Sequence, residues 1–151
     1  MGIKKQKQKP IPLVLQLTNL KRSFDTSILS QAFIKNSELI CLINLKPSEE
    51  SDTYVVKITC KYGKKPRAWL ISPDMQQVHG KYPHHLFGVN KDGKRELCVC
   101  APDYQEWNNN LWISESFVPW ICTWLNAYEF WLITGKWHYD EYTKNKSVVK
   151  K

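Results

Sequence analysis

The hydrophobic positions of this chain change period along its length, and each change marks an element. Residues 11–24 (IPLVLQLTNLKRSF) place Leu13, Leu17, Leu20 and Phe24 at spacings of four, three and four. That stripe predicts a short amphipathic helix. Residues 27–34 read as a second, weaker helical segment. From Glu38 the apolar run ELICLINL is rich in β-formers and stops at Pro47, before the polar loop 48–52. Residues 53–62 set Tyr54, Val56, Ile58 and Cys60 on one face and end in the turn Gly63-Lys64-Lys65. Residues 67–72 (RAWLIS) make a third extended run, closed by Pro73-Asp74. Three strands joined by short polar turns predict an antiparallel meander.

Residues 81–107 lack a sustained period and read as mostly loop, with LCVC as a brief extended piece. The last element is the clearest. Phe117, Trp120, Ile121, Trp124, Leu125, Tyr128, Trp131 and Leu132 recur at threes and fours. Ser114 or Ser116 is placed to cap this helix, Pro119 falls in its first turn, and Gly135 ends it. The tryptophan-rich stripe reads as core packing. Helix, meander, irregular loop and helix in that order predict an α+β fold. The expected layout is one domain over residues 11–143, between a basic, disordered tail at 1–10 and another at 144–151.

Composition refines this picture at two points. The chain has 151 residues and a formal net charge of +8. Of its 22 Lys and Arg, Lys4, Lys5, Lys7 and Lys9 lie in one tail and Lys144, Lys146, Lys150 and Lys151 in the other. The remaining 14 face 14 Asp and Glu, so the domain itself is neutral and nucleic acid is not an expected partner. No apolar run approaches the ~18 residues of a membrane span. Met1-Gly2 begins a myristoylation pattern that Gln6 breaks, since Ser or Thr is wanted there. Five cysteines without a secretory signal point to a reducing, cytoplasmic setting. Cys41, Cys60 and Cys122 lie inside apolar segments and read as small buried hydrophobes.

The reactive side chains concentrate in KYPHHLFGVNKDGKRELCVCAPDYQEW, residues 81–107. It holds His84, His85, Cys98 and Cys100, together with the Asp92-Gly93 turn pair. Sulfur beside imidazole admits a thiol nucleophile, a metal site or a redox pair. A thiol nucleophile must be exposed and at least partly ionised, and Lys91, Lys94 and Arg95 precede Cys98 as candidate cations. Cys98 and Cys100 are two apart, so an extended segment points them the same way. His84, His85, Cys98 and Cys100 number the four ligands of a structural zinc, although adjacent histidines and a C-x-C spacing suit one poorly. C-x-C also departs from the C-x-x-C of redox pairs. His85 reads as a group that orients the loop, while Trp107 and Trp112 read as packing posts. Asp103 and Glu106 are acids placed to assist an incoming amine. No cofactor is implied.

Three pieces of the chain resemble the ubiquitin-conjugating-enzyme fold, and in particular the conjugating-enzyme-like proteins of CBASS anti-phage operons. The first is Tyr54-Val55-Val56-Lys57-Ile58-Thr59 through Lys61-Tyr62-Gly63, then Pro66 and Trp69-Leu70-Ile71-Ser72-Pro73. The second is His85-Leu86-Phe87, Asp92-Gly93, Leu97-Cys98, Pro102 and Glu106-Trp107. The third is Pro119-Trp120, Trp124-Leu125, Tyr128-Glu129, Trp131 and Thr134-Gly135-Lys136-Trp137. The likeness spans about residues 38–138.

The resemblance implies that Cys98 takes up the C-terminal glycine of a partner as a thioester and passes it to an amine, usually a lysine. The partner implied is a cGAS-like nucleotidyltransferase, and the form implied is the standalone one without a fused adenylating domain. Two departures stand out. Where eukaryotic relatives have His-Pro-Asn, this chain has Pro83-His84-His85 without the asparagine, which leaves the oxyanion-supporting role to Asn90, His84 or His85. Cys100 stands where the family usually has an aromatic. A non-catalytic binding module of the same fold is the competing class.

Overall fold

The computed structural model describes residues 9–99 and 107–137. Helix α1 spans Leu13–Ser23. It starts at Pro12, whose carbonyl accepts the N–H groups of Leu15 and Gln16, and Phe24 ends it in extended conformation. Lys21 and Arg22 lie in its last turn, where cations suit the helix dipole. The predicted stripe is the inner face: Leu20 is fully buried, and Leu13, Leu17 and Phe24 pack against the core.

Six strands follow α1 in one antiparallel sheet: β1 (Leu29–Lys35), β2 (Glu38–Leu45), β3 (Tyr54–Lys61), β4 (Arg67–Ser72), β5 (Leu86–Val89) and β6 (Arg95–Leu97). Their spatial order is β1-β2-β3-β4-β6-β5. The meander expected from the alternating segments is therefore its centre, β2 to β4. The weak helix expected over residues 27–34 is instead the edge strand β1. Its apolar residues fit a helical spacing, but the two-residue turn Asn36-Ser37, with φ of 51° and 61°, folds the segment back onto β2. Positive φ at both central residues is the geometry of the tight hairpin turn that matches strand twist. Pairing with β2 then overrides local propensity.

Strands β2 and β3 pair without a register slip from Glu38↔Lys61 to Leu45↔Tyr54. This register sets Leu39, Cys41 and Ile43 beside Val56, Ile58 and Cys60 as one continuous buried surface. Residues 81–99, expected to be mostly loop, contain the hairpin β5–β6, and β6 adds to the sheet through Trp69↔Glu96 and Leu70↔Arg95.

Helix α2 runs Phe117–Thr134. Phe117, Ile121, Trp124, Leu125, Tyr128 and Trp131 are buried, as their spacing predicts. Ser116 is its N-cap residue but does not cap with its side chain; the hydroxyl donates back to the Trp112 carbonyl at 2.6 Å. Gly135 ends the helix in left-handed conformation at φ 74° and donates its N–H to Trp131. That turn sends the chain back over the helix, so Trp137 is buried against Trp124 with ring centroids 5.1 Å apart. No helix among the described residues is long and apolar enough to cross a membrane.

Candidate active site

Asn90 organises the hairpin that carries the candidate cysteine. Its side-chain oxygen accepts the N–H groups of Asp92 and Lys94, each at 2.9 Å. Its backbone carbonyl accepts the Gly93 N–H at 3.0 Å, and its own N–H donates to Lys94 at 2.8 Å. Gly93 has φ 76°, which an L side chain adopts only with strain. The Asp92-Gly93 turn seen in the sequence is thus closed from one side by an Asn acceptor.

From that turn β6 leads to Cys98. Glu96 is clamped to β4 by Arg67, with Nε to Oε2 at 2.9 Å and the second guanidinium nitrogen to Oε1 at 2.6 Å. Leu97 and Val99 are buried, whereas Cys98 between them is half-buried. Alternation along an extended chain turns Cys98 away from its two core neighbours. A small cleft of about 210 Å³ between Pro66 and Phe87 reaches those same neighbours, Leu97 and Val99.

The backbone N–H of Cys98 donates to the carbonyl of His85 at 3.1 Å. The same carbonyl accepts the indole N–H of Trp124 at 3.0 Å. The imidazole of His85 lies between two rings, 5.0 Å from that of Trp137 and 4.3 Å from that of the exposed His84. His85 and Cys98 are therefore brought together through the main chain, with the His84 ring against that of His85. Asn90 is not, because it sits at the far end of the hairpin. The four steps from Lys94 to Cys98 span roughly 13 Å of extended chain.

Two of the three candidate cations, Lys94 and Arg95, have other partners. Lys94 pairs with Asp74 at 3.1 Å, and Arg95 lies 3.5 Å from the centroid of the Tyr82 ring. Cys41 and Cys60 are buried as expected, and burial pushes their thiols up to about 12 and about 11. Cys122 is only half-buried, and burial raises its thiol as well. Trp107 packs edge-on against Phe117 and Trp120, with ring centroids at 6.3 and 6.5 Å. The carbonyl of Trp112 anchors the turn that opens α2.

Cys100, Pro102, Asp103 and Glu106 lie outside the described residues, as does most of each basic tail. Among the described residues no three His, Cys, Asp or Glu side chains gather as a metal site. The zinc set drawn from the sequence needs Cys100 as its fourth ligand.

Two residues of the site, Trp124 and Trp137, were not legible as such. Both sit in segments that carry the family likeness, yet Trp124 is indistinguishable in sequence from the other tryptophans of the stripe. Only the turn at Gly135 brings Trp137 back onto His85.

A family model described as Type II CBASS E2 protein matches residues 16–145. That stretch takes in the hairpin, Cys98 and all of α2. No curated protein matches the chain.

Proposed function

Because the chain belongs to the Type II CBASS E2 protein family, whose members act in anti-phage CBASS systems, we propose that it is an acyl carrier working through Cys98. In this reading the Cys98 thiolate attacks the activated carbonyl of a partner's C-terminal glycine, present as an acyl adenylate or a thioester. The new C–S bond forms as the adenylate or thiol leaves. An amine then attacks the thioester carbonyl, a C–N bond replaces the C–S bond, the amine's proton goes to solvent, and Cys98 is released as thiolate. The acyl donor in this proposal is a cGAS-like nucleotidyltransferase of the same system and the acceptor is a lysine amine.

One observation carries the reading. Cys98 is half-buried between two core residues, immediately after β6, with Glu96 clamped by Arg67 and its own N–H held by the His85 carbonyl. A nucleophile held in this way meets its electrophile in a defined direction, which is where much of the rate of such reactions originates. His85 contributes through its backbone and through a ring fixed against Trp137. Asn90 contributes through the turn, where its oxygen already accepts two N–H groups.

The test is intact mass and non-reducing gel mobility after co-expression with the nucleotidyltransferase of a type II CBASS system. A thiol-sensitive adduct that disappears in Cys98→Ala and persists in Cys100→Ala is the expected result. Dependence on Cys100 instead would move the nucleophile by two residues. No adduct, with one equivalent of zinc bound in native mass spectrometry, would favour the metal reading, and neither adduct nor zinc would leave a binding module.

A further inference from the structure

Resting on the acyl-transfer reading, we propose that Trp124 is a positioning residue for Cys98, acting through the main chain of His85. A carbonyl oxygen has two lone pairs, and that of His85 accepts two donors. One is the N–H of Cys98 at 3.1 Å and the other is the indole N–H of Trp124 at 3.0 Å. The first belongs to the segment just after β6 that carries the thiol and the second to the buried face of α2. The His85 carbonyl joins the two.

The indole is rigidly held. Trp124 is 5% exposed, stacked on Tyr128 with centroids 5.5 Å apart and an interplanar angle of 21°, and packed against Trp137 at 5.1 Å. Trp137 also covers the imidazole of His85 at 5.0 Å. His85 is thus gripped at its carbonyl by one tryptophan and at its ring by another. A buried indole N–H needs an acceptor, so Trp124 has reason to keep the His85 carbonyl in place, and that carbonyl in turn sets where the Cys98 backbone lies.

A chemical consequence follows. The backbone N–H of Cys98 is committed to His85 and is not available to an oxyanion forming on the acyl carbonyl. The main chain at Cys98 serves position, and the donor to the oxyanion comes from elsewhere.

A Leu or Phe at position 124 would continue the apolar stripe but supply no donor. Trp131 provides the internal comparison. It is buried and stacks on the same Tyr128 ring at 6.2 Å and 23°, but has no hydrogen bond to His85 among the described residues.

The experiment compares Trp124→Phe with Trp131→Phe in the full chain. Native-state hydrogen exchange at the Cys98 amide is read against the Ile58 amide, which reports global opening. Trp124→Phe is expected to speed Cys98 exchange relative to Ile58 by about fivefold to tenfold, the effect of one net hydrogen bond. Trp131→Phe is expected to leave that ratio unchanged. Acyl loading of Cys98 should fall by about tenfold in Trp124→Phe alone, while its alkylation by iodoacetamide stays within about twofold of wild type, because a small electrophile needs no orientation. Equal exchange ratios in the two variants, or unchanged loading in Trp124→Phe, would overturn the proposal. A wild-type protein that never loads an acyl group would refute the transfer reading, and the exchange ratio would still decide whether Trp124 holds Cys98.

Discussion

Gln16, 3% exposed in the first turn of α1, accepts the backbone N–H of Ile113 at 3.0 Å. Its amide nitrogen donates to the carbonyl of Leu111 at 2.9 Å. One side chain therefore satisfies both backbone groups of the segment that leads into α2, and the neighbouring pair Asn19 and Ser114 adds a second tie. This polar joint fixes α1 against the start of α2 in a way that the leucine stripe alone does not. Val14 and Leu15 show that α1 leaves apolar side chains in solvent, so hydrophobicity by itself underdetermines its rotation.

Gln16→Leu keeps the volume and removes both hydrogen bonds, leaving a buried N–H and a buried carbonyl unsatisfied. The expected loss is about 2–4 kcal/mol of unfolding free energy, read from the urea midpoint. A midpoint equal to that of the wild type would mean that water replaces the amide at no cost.

Asn90 separates two roles that one residue type allows. As the acceptor that closes the hairpin turn it needs its side-chain oxygen, which Asn90→Asp retains. As a donor to an oxyanion it would need its NH₂ group, which Asn90→Asp lacks. Asn90→Asp is expected to load acyl groups within about threefold of wild type, whereas Asn90→Ala loses about 1 kcal/mol of stability with its two accepted bonds. A collapse of loading in Asn90→Asp, with its melting temperature unchanged, would restore the oxyanion role.

Thiol labelling should divide the cysteines sharply. Cys41 is 0% exposed and Cys60 6%, and burial raises both thiols. In native protein at pH 8 a disulfide reagent is expected to modify Cys98 well before either of them, with Cys41 and Cys60 reacting only on unfolding. Peptide mapping after timed labelling checks this, with a Cys100→Ala background isolating the Cys98 signal. Early labelling of Cys41 would show that the β2–β3 core opens locally.

The same groups give stability an alkaline limit. Burial, followed by the hydrogen bond to Glu129 at 3.0 Å, raises the phenol of Tyr54 above its ordinary value. Cys41 and Cys60 are raised as well. A raised acid keeps its proton in the folded state while the unfolded chain releases it, so the unfolded state binds fewer protons and stability falls as pH rises. The contribution of the thiols is complete below their ordinary value of 9.0 and is lost from there upward, through about 11 for Cys60 and about 12 for Cys41. That of Tyr54 is lost from its ordinary 10.0 upward. Urea midpoints between pH 7 and 11 should be level at first and then decline, and Tyr54→Phe should flatten the decline above pH 10. An unchanged slope in that variant would assign the alkaline loss to the thiols and to Tyr128, whose phenol is also raised by burial.

Long, strongly periodic segments were legible from the amino-acid order. The α1 stripe, the alternating strands β2 to β4 and the face of α2 from Phe117 to Leu132 all lie where their spacing places them, because burial on one side of a regular element imposes its period on the chain. The likeness to the conjugating enzymes was legible too, in motifs spread over the strands, the hairpin and α2, and the family match spans all three. Short elements were not. Residues 29–35 carry apolar side chains at helical spacing and become a strand because β2 offers a partner. Hairpin β5–β6 is too brief to show a period, and it forms because Asn90 closes its turn and β4 receives its second strand.

The candidate site divides in the same way. Residue type and order drew attention to His84, His85, Cys98 and Cys100, and the family resemblance pointed to Cys98 among them. Tertiary structure decided that His85 meets Cys98 through its carbonyl, that Trp124 among like tryptophans shares that carbonyl, and that Trp137 returns to cover the ring. Periodicity is a local property, written wherever an element is long enough to repeat. A hydrogen bond between residues 39 positions apart depends on where two separate elements are packed, and no spacing within either of them records it.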